Sequence, residues 1–125
     1  MHVKNWQKPF IKIQAPDQQI VKGIVYEPDV VDTDDEKASA ETIERACHKF
    51  NVLHRRMKIM HSEERKDILL LESYINPVDY QENGQGIRKG AWIIVVKVLD
   101  SELWDDIKTG KFTGFSMGGR AAIAQ

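Results

Sequence analysis

The sequence predicts a mainly β, α+β domain, an antiparallel sheet or barrel with short helices at its periphery. Its apolar runs are mostly short and β-branched, as strands are. Turn residues join most of them, which argues against a βαβ series. Helical spacing of apolar residues is confined to two short segments.

Residues 1–18 mix Trp6, Pro9 and Pro16 with polar side chains, predicting an irregular start with a short edge strand around 10–13. Ile20, Val21, Ile24, Val25 and Tyr26 predict a strand, with Gly23 marking a bend or bulge and Glu27-Pro28-Asp29 stopping it. An acidic loop follows over 32–36. Residues 40–50 predict a helix: Ser39 can cap it, Glu41 sits in its first turn, and Ile43, Ala46, Cys47 and Phe50 form one stripe. That stripe makes Cys47 a buried core thiol, with nothing nearby to activate a thiolate. Residues 57–61 and 68–75 read as two strands of a hairpin around the charged turn 62–67, ended by Asn76-Pro77. A polar loop over 76–89 contains Asn83-Gly84-Gln85-Gly86. Residues 91–99, apolar on both faces except at Lys97, predict a central strand. Asp100 or Ser101 can cap a short helix carrying Leu103, Trp104 and Ile107, with Lys108 suited to its negative end and Gly110 to its stop. Residues 111–121 predict a glycine-rich final strand.

Composition narrows the classes of function. The chain has 125 residues, 42% hydrophobic, enough for one core without disulfides or a structural metal. The 18 basic and 19 acidic residues leave a net charge of −1, so no basic stripe marks a nucleic-acid surface. The apolar run 91–96 is too short to cross a bilayer, and Lys4, Lys8, Lys12 and Asp17 break up any signal-peptide core. The single Cys47 excludes an internal disulfide and a multi-cysteine zinc site. These features predict a soluble, intracellular, single-domain chain over 1–125 that needs neither cofactor nor metal. The run 32–36 begins like a calcium loop, but Lys37 and Ile43 stand where glycine and glutamate are required. Gly84-x-Gly86 lacks the third glycine of a dinucleotide fingerprint.

Gly114-Phe115-Ser116-Met117-Gly118 matches G-x-S-x-G. In an α/β-hydrolase the acid and histidine follow that serine, but nothing after Gly118 is His, Asp or Glu, so chain order rules that fold out. The local chemistry survives: glycines let a carbonyl approach closely, and the N–H groups of Gly118, Gly119 and Arg120 can form an oxyanion hole. A base for Ser116 must then lie upstream. His2 is terminal, His48 follows Glu44 by one helical turn, and His54 lies in a basic linker. His61 ends an apolar strand where it meets a loop, a position that suits a general base and equally a satisfied core-edge histidine. Glu72 shares a strand face with Ile68, Leu70 and Tyr74 in strict alternation. It reads either as a buried carboxylate beside His61 across the hairpin, or as a solvent-facing residue paired with Lys58 or Lys97.

Taken in order, four stretches resemble a known family: Val21-Lys22-Gly23-Ile24-Val25-Tyr26-Glu27-Pro28-Asp29; Met60-His61 with Leu71-Glu72-Ser73-Tyr74-Ile75; Lys89-Gly90-Ala91-Trp92; and Leu103-Trp104 through Gly110 to Gly114-Phe115-Ser116-Met117-Gly118-Gly119. Over about residues 20–120 the chain resembles the XkdF-type phage serine proteases, relatives of prohead maturation proteases and similar in fold to herpesvirus assemblin. The resemblance implies an assemblin-like antiparallel β-barrel with peripheral helices and a His-before-Ser order, the order the motif itself requires. It implies His61 as base and Ser116 as nucleophile. Glu72 is the chosen third member, with Asp79 or His54 as fallbacks. Relatives continue into further helices where this chain stops nine residues after Ser116, which reads as a truncation after the nucleophile strand.

The resulting expectation is a prohead maturation endopeptidase that cleaves phage scaffold or capsid protein in the host cytoplasm, inside the immature capsid. It allows a homo-oligomer and involves neither nucleic acid nor membrane. Substrate would lie as an extended strand on a sheet edge, with the loop 76–89 closing over it. The alternative is a catalytically inactive capsid-assembly or scaffold-binding module on the same fold.

Overall fold

The computed structural model describes residues 8–14, 18–29, 37–54, 57–59 and 68–117. In chain order the elements are β1 (Lys12–Gln14), β2 (Ile20–Tyr26), α1 (Ala40–Lys49) running into a π-helical turn (Phe50–His54), β3 (Met57–Ile59), β4 (Ile68–Ile75), β5 (Tyr80–Glu82), β6 (Gln85–Ile87), β7 (Trp92–Val98), α2 (Ser101–Lys108) and β8 (Phe115–Met117). The mainly β, antiparallel reading holds.

The strand that is apolar on both faces sits between two others. β7 pairs with β2 on one side and β4 on the other, and β1 adds to β2, giving an open antiparallel sheet of order β1-β2-β7-β4. On one face Val21, Val25, Trp92, Ile94, Val96 and Val98 meet α1, α2 and Phe115 of β8. On the other, Ile24 and Ile93 meet Ile11, Ile87 and Tyr80. Each large aliphatic side chain buried this way contributes about 1.5–3 kcal/mol. The helices dock where the stripes require. Ile43 and Cys47 of α1 and Leu103, Trp104 and Ile107 of α2 are buried. Ser39 Oγ accepts from Thr42 N at 3.2 Å. Of the two proposed caps for α2, Asp100 serves, its Oδ2 accepting from Leu103 N at 2.7 Å.

Four expectations change. No closed barrel is found among the described strands, which form the open sheet and two ribbons, β3-β8 and β5-β6. The expected pairing of 57–61 with 68–75 is not found among the described residues, where β3 pairs with β8 and β4 with β7; the turn 62–67 itself lies outside them. Sequence neighbours usually pair; here the long apolar face of β7 takes β4 instead. The bulge expected at Gly23 falls further along: Gly23 keeps its partner Ile94, and the register of β2 shifts between Ile24 and Tyr26. Finally, the loop 76–89 is a β-hairpin. Its Asn83-Gly84 turn has positive φ at both residues, 53° and 77°, as a two-residue type I′ turn requires. The edge strand expected over 10–13 forms at Lys12–Gln14.

Candidate functional site

Ser116 lies in β8, and the backbone register sets it opposite Lys58 of β3, with Ile59 opposite Phe115 and Met57 opposite Met117. The segment that leads to His61 and the segment that carries Ser116 are therefore hydrogen-bonded neighbours. His61 and the oxyanion candidates Gly118, Gly119 and Arg120 lie outside the described residues. β8 stacks on the helix face of the main sheet. Phe115 is 1% exposed and meets Phe10 edge-on at 4.8 Å between ring centroids.

Glu72 is placed differently from its expected position. The ladder skips Leu71, with Leu70 opposite Val96 but Glu72 opposite Val95. This bulge shifts the phase of β4 by one residue. Ile68 and Leu70 pack into the helix-face core, as does Ile75, whereas Glu72 is exposed and Tyr74 packs on the hairpin face. Glu72 thus shares no face with Ile68 and Leu70, and its strand is not paired with β3. Among the described residues the buried carboxylate is that of Glu27, which closes β2 with its side chain 3% exposed and lies 3.3 Å from Lys8 Nζ. A charged residue at the end of an apolar strand before proline was its only signal in the sequence. Of the fallbacks, Asp79 accepts from Lys89 N at 2.6 Å and so is committed to the hairpin base. His54 ends the π-helical turn.

Cys47 is fully buried, and burial pushes its thiol above the ordinary value against bonds from Ser73 and Asn51, so it is an unactivated core thiol. Among the described residues no cluster of His, Cys and carboxylates could hold a metal ion. None of their helices is long and apolar enough to cross a membrane.

The β5-β6 hairpin is fastened to the sheet, unlike a loop free to close. Asn83 Nδ2 donates to Ile11 O at 2.9 Å, and Lys22 Nζ donates to Glu82 Oε1 at 2.9 Å. The Tyr80 hydroxyl donates to the same oxygen at 3.1 Å. An open groove of about 660 Å³ runs between this hairpin and the end of β2, lined by Lys8, Glu27, Asp79, Tyr80, Ile87 and Arg88. Glu72 does not line it.

The Lys22 bond holds the Glu82 carboxyl below its ordinary 4.5 against the opposing effect of burial. Burial works against the charge on Lys22, but its bonds to Glu82 and Tyr80 outweigh this and hold the ammonium above its ordinary 10.5. A depressed carboxyl contributes stability above its unfolded value and loses it as pH falls through its folded value. A raised ammonium contributes below 10.5 and loses it only on the alkaline side. The pair therefore stabilises from mildly acid to mildly alkaline pH. Glu82→Gln is expected to lower stability at neutral pH by about 1 kcal/mol, a figure reduced for partial exposure. It should also flatten the fall in melting temperature on acidification. Acid limbs of equal slope in the two proteins would contradict this.

A family model described as "Putative phage serine protease XkdF" matches residues 7–125. In Bacillus subtilis (strain 168), the phage-like element PBSX protein XkdF is 41% identical over 114 residues, which cover 91% of this chain and 41% of that protein. The protein YqbD of the same strain is 41% identical over 108 residues, 86% of this chain and 33% of its own length. The chain thus spans between about a third and two fifths of these relatives. No solved structure matches it.

Proposed function

The chain belongs to the XkdF phage serine protease family, and from that membership we propose that it is the catalytic portion of a prohead maturation endopeptidase, with Ser116 as nucleophile and His61 as general base. Ser116 Oγ attacks the scissile carbonyl as His61 takes its proton. The imidazolium then returns the proton to the leaving amine, and water repeats the cycle on the acyl-enzyme. The N–H groups of Gly118, Gly119 and Arg120 hold the oxyanion. The substrate is phage scaffold or capsid protein, met inside the immature capsid in the host cytoplasm.

The observation that carries this reading is the β3-β8 register. Ile59 pairs with Phe115, the residue before Ser116, and His61 follows Ile59 by two residues, a covalent span of at most about 7 Å. The strand that carries Ser116 and the strand that precedes position 61 in sequence are thereby adjoining, which supports the reading. Glu72 is exposed, and among the described residues its strand pairs with β7 and not with β3, so the proposal rests on the dyad.

A serine-directed fluorophosphonate tests it. Wild type is expected to label, and Ser116→Ala and His61→Ala to lose labelling by at least about a thousandfold, as residues acting as one unit do. Glu72→Gln should stay within about twofold of wild type. Equal labelling of wild type, Ser116→Ala and His61→Ala, or none of wild type, would remove the enzyme and leave a non-catalytic assembly module.

A further inference from the structure

We infer that Gly23 is a positioning residue: its missing side chain makes the notch in which the ring of Phe115 seats, and that seat fixes the strand carrying Ser116. The inference rests on the reading of Ser116 given above.

Gly23 lies in the middle of β2, between Val21 and Val25, which pack on the same face of the sheet. Glycine weakens a strand interior, so its presence there calls for something close by. That something is Phe115. A Cβ on Gly23 would stand 2.7 Å from both Cδ2 and Cε2 of Phe115 and 3.2 Å from Cδ1 of Phe10. The ring is enclosed: Phe115 is 1% exposed, and Phe10 meets it at an interplanar angle of 68°. Phe10 N also donates to Thr113 O at 2.7 Å, while the next residue, Ile11, donates its N–H to Lys22 O at 2.7 Å. Residues 10 and 11 therefore bridge the approach to β8 and the strand that holds the notch.

This arrangement matters because, among the described residues, β8 has few other attachments. Its ladder covers three residues and runs to β3, itself three residues long and outside the main sheet. Among the described side chains, the one of β8 that packs on the main sheet is Phe115 in its aromatic seat. Any methyl group at position 23 must push the ring outward, and Ser116 is bonded directly to the residue that moves. Catalysis depends on such placement: an error near 1 Å costs on the order of a hundredfold.

The test compares wild type with Gly23→Ala, with Gly23→Ala/Phe115→Leu, and with Gly86→Ala, a strand glycine whose Cβ would meet nothing within 4 Å. Each is kept well below its melting temperature and read in two ways, by fluorophosphonate labelling kinetics and by amide exchange in 57–59 and 115–117. Gly23→Ala is expected to lower the maximal labelling rate roughly tenfold to a hundredfold, with little change in the half-saturating probe concentration, and to speed exchange in both strands. The smaller leucine should bring the rate back to within about threefold of wild type, and Gly86→Ala should match wild type in both readouts. A Gly23→Ala protein with wild-type rate or wild-type exchange would overturn the inference, as would failure of the double variant to recover. Wild type that does not label would sink the nucleophile assignment and the positioning role together. The exchange data would then still show whether Gly23 seats β8.

Discussion

Trp92→Ala is expected to lower the melting temperature by roughly 10–20 °C, the largest effect of any single truncation in this fold. Trp92 is fully buried at the start of β7. It is held on three sides: Tyr26 of β2 and Ile75 of β4 flank it in the ladder, and Phe50 meets its ring edge-on at 5.7 Å. Its indole N–H is satisfied as well, donating to Ser73 Oγ at 3.0 Å. Truncation to alanine removes the apolar area and leaves a cavity between the sheet and the π-helical turn, at a typical cost of 3–5 kcal/mol. Against a total stability of about 5–15 kcal/mol, that leaves a marginal domain. Trp92→Phe should lose far less, about 1–2 kcal/mol, because it keeps most of the volume and gives up mainly one hydrogen bond. Thermal unfolding followed by circular dichroism separates the two, and an alanine variant within about 3 °C of wild type would contradict the packing described.

The second large effect is Asn76→Ala, expected to cost about 2–3 kcal/mol. Asn76 is 2% exposed at the end of β4, and its Nδ2 donates to Val78 O at 2.7 Å and Arg88 O at 2.8 Å. Its backbone joins the same junction: Asn76 N donates to Ala91 O and Gly90 N to Asn76 O, both at 2.8 Å. One side chain thus closes the base of the β5-β6 hairpin. Alanine would remove the donor to two part-buried carbonyls and the side chain that fills this buried position, and the lost hydrogen bonds are the main source of the cost. The backbone bonds persist, so the loss should be local. Amide exchange is expected to rise in 80–87 and stay low in β7, whereas a uniform rise across the sheet would contradict this role.

The parts of the fold that the sequence revealed were those coded locally. The stripe of Ile43, Ala46, Cys47 and Phe50 settled α1, because helical periodicity is set within a few turns. The run ending at Val98 could only be central, since a strand apolar on both faces needs cover on both. What failed was pairing and phase. In Ile68-Leu69-Leu70-Leu71 every residue is apolar, so no alternation exists to mark which one is skipped, and the bulge at Leu71 reversed the face assigned to Glu72. Pairing β3 with β4 assumed that neighbours in sequence are neighbours in space. β8, more than fifty residues downstream, takes β3 instead. Asn83-Gly84, in contrast, is a local code, among the strongest short hairpin signals, and it forms that turn. A glycine in a strand signals either a bulge or a close approach, and at Gly23 only the distance to Phe115 decides between them. Of the candidate site, the serine's strand is readable from the sequence, but the register that joins β3 to β8 is a long-range property that no local pattern encodes.

The separation between the His61 imidazole and the Ser116 hydroxyl bears most directly on all of this, and a crystal structure of the fluorophosphonate-treated protein would measure it. We expect the phosphoryl group on Ser116 Oγ, an imidazole nitrogen of His61 within about 3–3.5 Å of that oxygen or the adduct, and the N–H groups of residues 118–120 around the phosphoryl oxygen. An adduct on another residue, or an imidazole more than about 10 Å away with the β3-β8 ladder intact, would contradict the proposed dyad.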